Sequence, residues 1–314
     1  MKPRILVIRG GAIGDFILTL PAIHLLRENF PDVHLDILGY EHIIEIARGR
    51  FYADGTRSIE YGAMAGFFVP HSKLAPDLVE YFASFQQVVS YLFDPDRFFE
   101  NNLRRAGVKN FLAAYARIDD SQHAAQQLAR PLEKLALFLD DAAARVHPSD
   151  QDQALAGRFV GQATAPLIAM HPGSGSLRKN WPAANWASLA QWLHQAEPKA
   201  TLVLVGGEAD DVPLATVQAA LPAGRVLLAQ NLPLPHLAAV LQRCRLFIGH
   251  DSGISHLAAA AGTPCVLLFG PTDPAVWAPA NAGVKVVAAP DGDLSRLPLG
   301  TVQEAVREAL AALS

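Results

Sequence analysis

The stretch Phe247-Ile-Gly-His-Asp251-Ser-Gly-Ile-Ser-His256-Leu-Ala-Ala-Ala-Ala-Gly262-Thr-Pro-Cys-Val-Leu-Leu-Phe-Gly270-Pro-Thr-Asp273 decides the fold. A short apolar run at 246–248 predicts a strand, and the small residues at 254–261 predict a helix that Gly262 ends. A second apolar run, at 264–269, predicts another strand. Strand, helix and strand in this order form the repeating unit of a parallel α/β sheet.

The turn between the first of these strands and the helix has the composition of an anion-binding site. The first N–H groups of a helix are unpaired and lie at the positive end of its dipole, which suits a phosphate. Ser252 and Gly253 would let the backbone approach a bulky anion, whereas Asp251 would repel phosphate unless it caps the helix or binds hydroxyls. On this stretch alone, an ordinary turn with Asp251 as the N-cap is the favoured interpretation.

Composition limits the classes of protein to which the chain can belong. The chain has 314 residues, of which 51% are hydrophobic and 18% charged, which is enough for two globular cores. Its net charge of −4 argues against a general nucleic-acid binder. Cys244 and Cys265 sit in apolar runs, which indicates buried thiols in a reducing compartment and not a zinc site.

No segment near the N-terminus has the pattern of a membrane span or a signal peptide. The apolar stretch at 16–26 is short and is interrupted by Pro21 and His24. We therefore expect a soluble, cytoplasmic protein without a transmembrane segment.

The first half of the chain begins as a nucleotide-binding α/β fold would. A strand is predicted at 4–8, followed by the turn Arg9-Gly-Gly-Ala-Ile-Gly14-Asp15 and by a helix that runs towards residue 30. Pro21 must start, kink or interrupt this helix. A second strand at 33–38 and a short helix at 41–48 follow. The glycines are spaced Gly-Gly-x-x-Gly, a weak match to the dinucleotide-binding turn. Asp15 would face a ligand cleft at the carboxyl ends of the strands. A helix cap worth about 1 kcal/mol is the safer local interpretation of Asp15.

Residues 57–141 are less regular and rich in aromatic side chains. A strand at 85–92 and a helix at 121–139 that contains Pro131 are predicted. Most of the aromatic residues should belong to the core, and a minority could line an acceptor groove. Four basic residues could meet an acidic acceptor, although a solvated helix face is favoured: Arg97, Arg104, Arg105 and Lys109. The segment at 142–162 contains the best candidate for a linker.

After this linker the α/β rhythm restarts, so a second doubly wound domain is predicted, with domains at 1–150 and 151–314. The further strands are predicted at 167–170, 202–205, 226–229 and 284–288, and the helices at 183–195, 210–220 and 235–242. A Thr301-x-x-Glu304 capping box predicts the start of the final helix. We allow for this helix packing back on the N-terminal domain.

Three strand ends of the second half carry groups that suit a nucleotide. Ser174 and Ser176 offer donors in a glycine-rich loop, and Lys179 adds a positive charge. Glu208, just past a strand, could accept hydrogen bonds from a ribose diol, and Asp251-Ser-Gly follows a third strand. Each group has a simpler explanation: a flexible loop, a solvated lysine or a glutamate at a helix dipole. Together they favour one site for a nucleotide or a nucleotide-sugar.

Taken together, these motifs resemble those of glycosyltransferase family 9, the ADP-heptose:lipopolysaccharide heptosyltransferases. The motifs occur in the family's order along nearly the whole chain, whereas residues 57–141 match none of them. The resemblance is carried by Arg9-Gly-Gly-Ala-Ile-Gly-Asp15 with Leu20-Pro-Ala22, His171-Pro-Gly-Ser-Gly-Ser with Lys179-Asn-Trp-Pro, Gly206-Gly-Glu208, and Asp251-Ser-Gly-Ile-Ser-His256-Leu-Ala-Ala-Ala with Phe269-Gly-Pro-Thr272.

The resemblance implies a GT-B architecture, in which two Rossmann-like doubly wound domains face a central cleft. The first domain would be the acceptor side and the second would hold the donor. It further implies an inverting, metal-independent transfer of a sugar, heptose from ADP-heptose, onto a lipopolysaccharide core or a related surface glycan. No cofactor is implied, because the ADP-linked sugar is a substrate. The acceptor would be a glycolipid or glycan at the inner membrane surface, with peripheral attachment of the enzyme to its cytoplasmic face as an option.

The resemblance also implies roles for individual residues. Asp15 matches the general base that deprotonates the acceptor hydroxyl, and Arg9 matches a basic position that could stabilise the departing diphosphate. His256 follows one helical turn after the diphosphate-binding turn and could serve only in packing. The expected donor-binding set is Arg9, Gly14, Ser174, Ser176, Lys179, Glu208, Asp251, Ser252, Gly253 and His256, with no metal ligand.

One departure from the family keeps other functions open. An anionic acceptor would favour a dense Lys/Arg helix in the first half, and this chain has only a few scattered basic residues there. A different nucleotide-sugar donor and acceptor therefore remain an alternative, as does a non-catalytic nucleotide-binding protein. An NAD(P)-dependent oxidoreductase would need an acidic residue at the end of the second strand, where Gly39-Tyr40 stands. A sugar-nucleotide epimerase of similar fold is a further alternative.

Overall fold

The computed structural model describes residues 2–161, 163, 166–222 and 224–313. The chain divides into two compact units, Met1–Ala142 and Ala143–Ser314. This division lies eight residues before the boundary at 150 that the sequence predicts. Each unit is an α/β structure with its own parallel sheet.

The first unit contains a five-stranded parallel sheet. Its strands are β1 (Arg4–Arg9), β2 (His34–Gly39), β3 (Gly55–Ser58), β4 (Gln87–Ser90) and β5 (Phe111–Ala113). Its helices are α1 (Ile13–Asn29), α2 (Glu41–Ile44), α3 (Pro76–Ala83), α4 (Phe98–Arg105) and α5 (Ala124–Ala129), with 3₁₀ turns at Gly62–Phe68 and Arg130–Leu135. The strand order is β3-β2-β1-β4-β5, which places β1 at the centre. Phe67, Phe82 and Phe99 fill much of the core on one face.

Two predictions for the first unit need correction or comment. The predicted helix at 121–139 is wrong, because α5 ends at Ala129 and only a 3₁₀ turn follows, up to Leu135. Pro131 has no N–H to continue the helical bonding, and Ala136 turns left-handed at φ +58°. By contrast, α1 continues through Pro21 from Ile13 to Asn29.

The second unit contains a six-stranded parallel sheet in the order β11-β10-β9-β6-β7-β8. Its elements are α6 (Asp150–Val160), β6 (Leu167–His171), α7 (Ala183–Ala196), β7 (Thr201–Gly206), α8 (Asp211–Ala219), β8 (Val226–Gln230), α9 (Leu234–Leu241), β9 (Cys244–His250), α10 (Gly253–Ala260), β10 (Cys265–Phe269), α11 (Pro274–Trp277), β11 (Val284–Ala288) and α12 (Leu299–Ala312). All the strands that the sequence predicts in this half are present.

The segment at 142–162, which the sequence predicts to contain the linker, begins where the two units divide, and α6 (Asp150–Val160) occupies much of its second half. The start of this helix is fixed by a reciprocal pair of hydrogen bonds between Ser149 and Asp152. The Asp152 N–H donates to Ser149 Oγ at 3.2 Å, and the Ser149 N–H donates to Asp152 Oδ2 at 2.7 Å. Gln162, the last residue of this segment, lies outside the described residues.

The final helix begins earlier than the sequence predicts. Pro298 is the N-cap of α12 and Leu299 its first residue, so Thr301 does not cap it. Val302, Val306 and Leu310 are buried in the core of the second unit. The buried face of α12 therefore packs in the core of its own unit. Packing of this helix on the first domain stays a prediction.

Both cysteines lie in the second unit. Cys244 and Cys265 are buried free thiols. In the described part of the chain, no helix is both long and apolar enough to cross a membrane.

Candidate functional site

Polar residues of the second unit gather where neighbouring parallel strands end. His171 is the last residue of β6, and Glu208, Asp251 and Thr272 follow β7, β9 and β10 within a few residues. Because parallel strands all end at the same edge of a sheet, these residues share the edge at which α/β folds bind ligands.

A buried carboxylate connects the loops that follow β6, β9 and β10. Asp251 is 7% exposed, and its Oδ2 accepts a hydrogen bond from Lys179 Nζ at 2.6 Å and another from Thr272 Oγ1 at 2.6 Å. Asp251 is not the helix cap, because Ser252 takes that position in α10 and its Oγ accepts from the Ser255 N–H at 3.4 Å. The simpler interpretation of Asp251 is therefore wrong, and the carboxylate holds the Lys179 ammonium.

A second group of hydrogen-bonded polar side chains lies beside the Lys179–Asp251–Thr272 contacts, and the sequence did not predict it. His171 Nε2 is 3.3 Å from Asp210 Oδ2, and its Nδ1 is 3.4 Å from Ser252 Oγ. Asp210 Oδ2 also accepts from the Gly207 N–H at 2.8 Å. Burial raises the pKa of Asp210, but the hydrogen bonds from His171 and Gly207 outweigh it and leave the pKa below its ordinary value. The turns after β6, β7 and β9 are thereby hydrogen-bonded to one another.

The buried His250 ring is hydrogen-bonded to the loop that follows β6. The Trp181 N–H donates to His250 Nε2 at 2.7 Å, and Trp186 Nε1 donates to the same nitrogen at 3.2 Å. The ring proton must then lie on Nδ1, which donates to the Gly173 carbonyl at 3.1 Å. Burial lowers the pKa of His250 to about 3, so the ring is neutral at neutral pH.

Gly173 is required by close packing and not by an unusual backbone angle. A Cβ at this position would lie 1.7 Å from Asp210 Oδ1. The glycine of the His171-Pro-Gly173 motif therefore allows the loop after β6 to lie directly on the Asp210 carboxylate.

The other predicted donor-binding residues occupy varied surroundings. Ser174 Oγ lies 2.5 Å from Asn180 Oδ1 and 2.9 Å from the Ser176 carbonyl, so it bonds within its own loop. Glu208 is exposed and has no partner among the described residues. Gly253 is the first residue of α10, and His256 is buried at 5% exposure. The structure thus brings Lys179, Asp251 and Ser252 together and leaves Glu208 free at the surface.

In the first unit, the turn after β1 joins Arg9 to Asp15. Asp15 Oδ2 accepts from the Ala12 N–H at 2.9 Å, and Oδ1 lies 3.4 Å from Arg9 Nη2. The Asp15 side chain is 41% exposed and that of Arg9 only 10%. Burial lowers the pKa of Arg9, and the Asp15 carboxylate opposes this shift. The capping contact is therefore real, and it leaves the carboxylate open to solvent. Gly14, one residue earlier, is half-buried in α1.

Three arginines at and near α4 are bonded to side chains of the same helix. Glu100 pairs with Arg97 at 3.1 Å and with Arg104 at 2.8 Å, and Arg105 donates to Asn102 Oδ1 at 2.6 Å. Each guanidinium group is thereby held by a neighbouring side chain. As for metals, no cluster of three His, Cys, Asp or Glu side chains in the described residues could hold an ion. Metal independence of the reaction stays a prediction.

The family was decided by comparison with known proteins. The sequence model of glycosyltransferase family 9 (heptosyltransferase) matches residues 108–297, more than half of the chain. The chain belongs to glycosyltransferase family 9. This membership confirms the predicted family and the predicted enzyme class, a glycosyltransferase.

Relatives of this family 9 member align along most of its length. It is 24% identical over 294 residues to lipopolysaccharide heptosyltransferase 3 of Escherichia coli, which covers 85% of this chain and 83% of the relative. A family 9 glycosyl transferase from Veillonella parvula has a TM-score of 0.82 at 21% identity, covering 99% of this chain and 98% of the other. The heptosyltransferase WaaC of E. coli, solved with ADP, has a TM-score of 0.72 at 20% identity, covering 98% and 99%. These structural similarities confirm the predicted GT-B fold with two Rossmann-like domains.

Proposed function

We propose that this glycosyltransferase moves a heptose from ADP-heptose onto a lipopolysaccharide core or a related surface glycan, with inversion and without a metal. The observation that carries the proposal is the Lys179–Asp251–Thr272 cluster beside the N-terminus of α10. Support for the substrates comes from the similarity to lipopolysaccharide heptosyltransferase 3 and to WaaC, which was solved with ADP.

The donor's diphosphate is proposed to lie at the start of α10. Ser252 caps this helix, and Gly253 carries no side chain that would keep a phosphate from the first N–H groups. Lys179, whose side chain is 30% exposed, would add its charge from the opposite loop. Without a metal, these groups would meet the negative charge that develops on the departing diphosphate.

The hydroxyl groups of the donor are proposed to meet the two acidic residues of the same edge. Asp251 uses Oδ2 for both of its bonds, so Oδ1 has no donor among the described residues and can accept from a sugar hydroxyl. Glu208, exposed after β7, would accept from the ribose. Ser174, Ser176 and His256 would shape the loop and helix around the ligand.

Asp15 is proposed as the general base that takes the proton of the acceptor hydroxyl. Inversion needs a base on the side of the anomeric carbon opposite the leaving group. The Asp15 carboxylate is held by the Ala12 N–H and by Arg9 and remains 41% exposed, so a hydroxyl can reach it. In this scheme residues 1–150 form the acceptor side and residues 151–314 the donor side. A cytoplasmic enzyme attached peripherally to the inner membrane would fit that acceptor.

A transfer assay tests the proposal. The protein is incubated in EDTA with ADP-heptose and a deacylated lipopolysaccharide core, and products are followed by mass spectrometry and by NMR of the new anomeric proton. We expect one added heptose of inverted configuration and release of ADP. If only another nucleotide-sugar is consumed, the enzyme class stands and the donor assignment is wrong. Retention of configuration would contradict the role of Asp15.

A further inference from the structure

The first unit contains a cavity of about 480 Å³ that none of the assignments above uses. It opens at the carboxyl ends of β4 and β5, and its volume lies within the range of small-molecule sites. Its walls are formed by Ser90, Leu92, Phe93, Asp94, Pro95, Arg97, Glu100, Phe111, Leu112, Ala113, Tyr115 and Lys134.

Two exposed aromatic rings stand in this cavity. Phe93 is 70% exposed and Tyr115 is 46% exposed, and their ring centroids are 5.1 Å apart. Exposing such a pair to water has a cost in free energy that a ligand can recover by covering the rings. One face of a sugar ring presents mainly C–H groups, which can pack on such a pair while the hydroxyls remain available for hydrogen bonds.

The charges of the cavity wall cancel. Arg97 pairs with Glu100 through two bonds of 3.1 Å each. Asp94 accepts from the N–H groups of Phe99 and Glu100 at 3.2 and 2.9 Å and thereby caps α4. Lys134 is exposed and has no partner among the described residues. Two acids face two bases, so this wall suits an uncharged ring better than a phosphate.

The cavity opens at the same edge of the sheet as the Arg9–Asp15 pair. β4 lies next to β1 in the sheet, so the residues after both strands emerge at the same edge. The Arg9 guanidinium lies 5.9 Å from the centroid of the Tyr91 ring, which follows β4. A sugar in the cavity would therefore lie on the side of the sheet edge where the proposed base stands.

We propose that this cavity binds an uncharged sugar ring of the acceptor glycan, stacked on Phe93 and Tyr115 with Lys134 as a hydrogen-bond donor to its hydroxyls. This inference rests on the proposed function for the identity of the glycan. It assigns acceptor recognition to two aromatic rings and Lys134, and not to Arg97, Arg104 and Arg105.

Ligand binding in three proteins tests the inference: the wild type, the double variant Phe93→Ala/Tyr115→Ala and the control Phe138→Ala. Phe138 is 62% exposed and does not line the cavity. Its replacement therefore removes an exposed aromatic ring, as the double variant does, but leaves the cavity unchanged. The probe is a lipopolysaccharide core oligosaccharide freed of lipid and phosphate. Saturation-transfer NMR, without any donor, reports which sugar protons contact the protein.

We expect saturation of sugar-ring protons in the wild type and in Phe138→Ala and at least a tenfold weaker effect in the double variant. In transfer assays the KM for the acceptor should rise at least tenfold, while the KM for the donor stays constant. Equal saturation in all three proteins, or none in the wild type, would overturn the inference. ADP-induced thermal stabilisation is measured in parallel, because its absence would count against the proposed function and not against this cavity.

Discussion

The Lys179 ammonium donates to Asp251 Oδ2 at 2.6 Å, which joins two loops that lie 72 residues apart in the sequence. Thr272 donates to the same oxygen, so three loops depend on one buried carboxylate. A lysine held in this way cannot swing freely into solvent, and a phosphate that binds beside it meets a charge already in position.

Replacing Asp251 by Asn should weaken ADP binding about tenfold or more. The change removes a charge-assisted hydrogen bond worth about 1.5–3 kcal/mol and releases the Lys179 side chain. Isothermal titration calorimetry measures the effect. Asp291→Asn is the matched control, because that carboxylate is 76% exposed and pairs with Arg296 at the surface. An unchanged Kd in Asp251→Asn would show that the ion pair does not position the lysine for ADP.

Replacing Asp15 by Asn should lower kcat about 10²- to 10⁴-fold, the usual contribution of a general base. The amide oxygen can still accept the Ala12 N–H, so α1 should keep its start and the melting temperature should hardly change. Donor KM should also be unaffected. Asp32→Asn, at an exposed turn, is the control. If the variant turned over near the wild-type rate, Asp15 would not be the general base and would serve only to cap α1.

The buried neutral His250 should make the second unit less stable in mild acid. Its folded-state pKa of about 3 lies below the ordinary 6.5, so between these values the unfolded chain binds a proton that the folded chain does not. The free energy of unfolding therefore falls as the pH is lowered through 6.5 towards 3, by up to about 1.4 kcal/mol per pH unit.

Urea unfolding at pH 7.5 and pH 5.5, followed by tryptophan fluorescence, checks this prediction. The four tryptophans all lie in the second unit, so the signal reports that unit: Trp181, Trp186, Trp192 and Trp277. His250→Gln should be less stable at pH 7.5 but lose less stability than the wild type on going to pH 5.5. The exposed His42→Gln should behave like the wild type. Equal pH dependence in the wild type and His250→Gln would contradict the assigned cause.

Replacing Gly173 by Ala should destabilise the second unit by about 3 kcal/mol, the upper end of the range for overpacking. The new Cβ would lie 1.7 Å from Asp210 Oδ1, so the loop or the carboxylate must move. Gly300→Ala is the opposite case, because nothing lies within 4 Å of its Cβ position and α12 continues through it. That variant should gain about 0.5 kcal/mol. Urea unfolding of both variants measures the difference, and similar values for the two would disprove the close packing at Gly173.

Sequence patterns predict the strands of the second unit, but they do not predict the hydrogen bonds between its polar side chains. The central strands β6, β7 and β10 are largely apolar, buried runs, and Gly262 follows α10 with φ +87° as its position suggests. β3, by contrast, is four half-buried residues, Gly-Thr-Arg-Ser, without an apolar pattern to predict it.

The contacts at the site depend on residues that are distant in the chain. His171 and Asp210 are 39 residues apart, and no local spacing indicates that they meet. Asp251 and Ser252 are both good helix caps, and only the fold determines that Ser252 caps while Asp251 holds Lys179. Pro131 and Ser149 carry local signals for the end of α5 and the start of α6, because proline has no N–H to donate and serine is a favoured N-cap.

The donor site itself is tested most directly by the thermal stability of the protein with ADP, UDP, GDP, dTDP and CMP in EDTA and then in Mg²⁺. At about a hundred times its Kd, a nucleotide that binds the folded protein adds roughly 2.7 kcal/mol of stability. We predict that ADP alone stabilises the wild type, equally in EDTA and Mg²⁺, and that Lys179→Met loses most of this shift while Lys109→Met keeps it. A full ADP shift in Lys179→Met, or stabilisation only by another nucleotide, would contradict the proposed site.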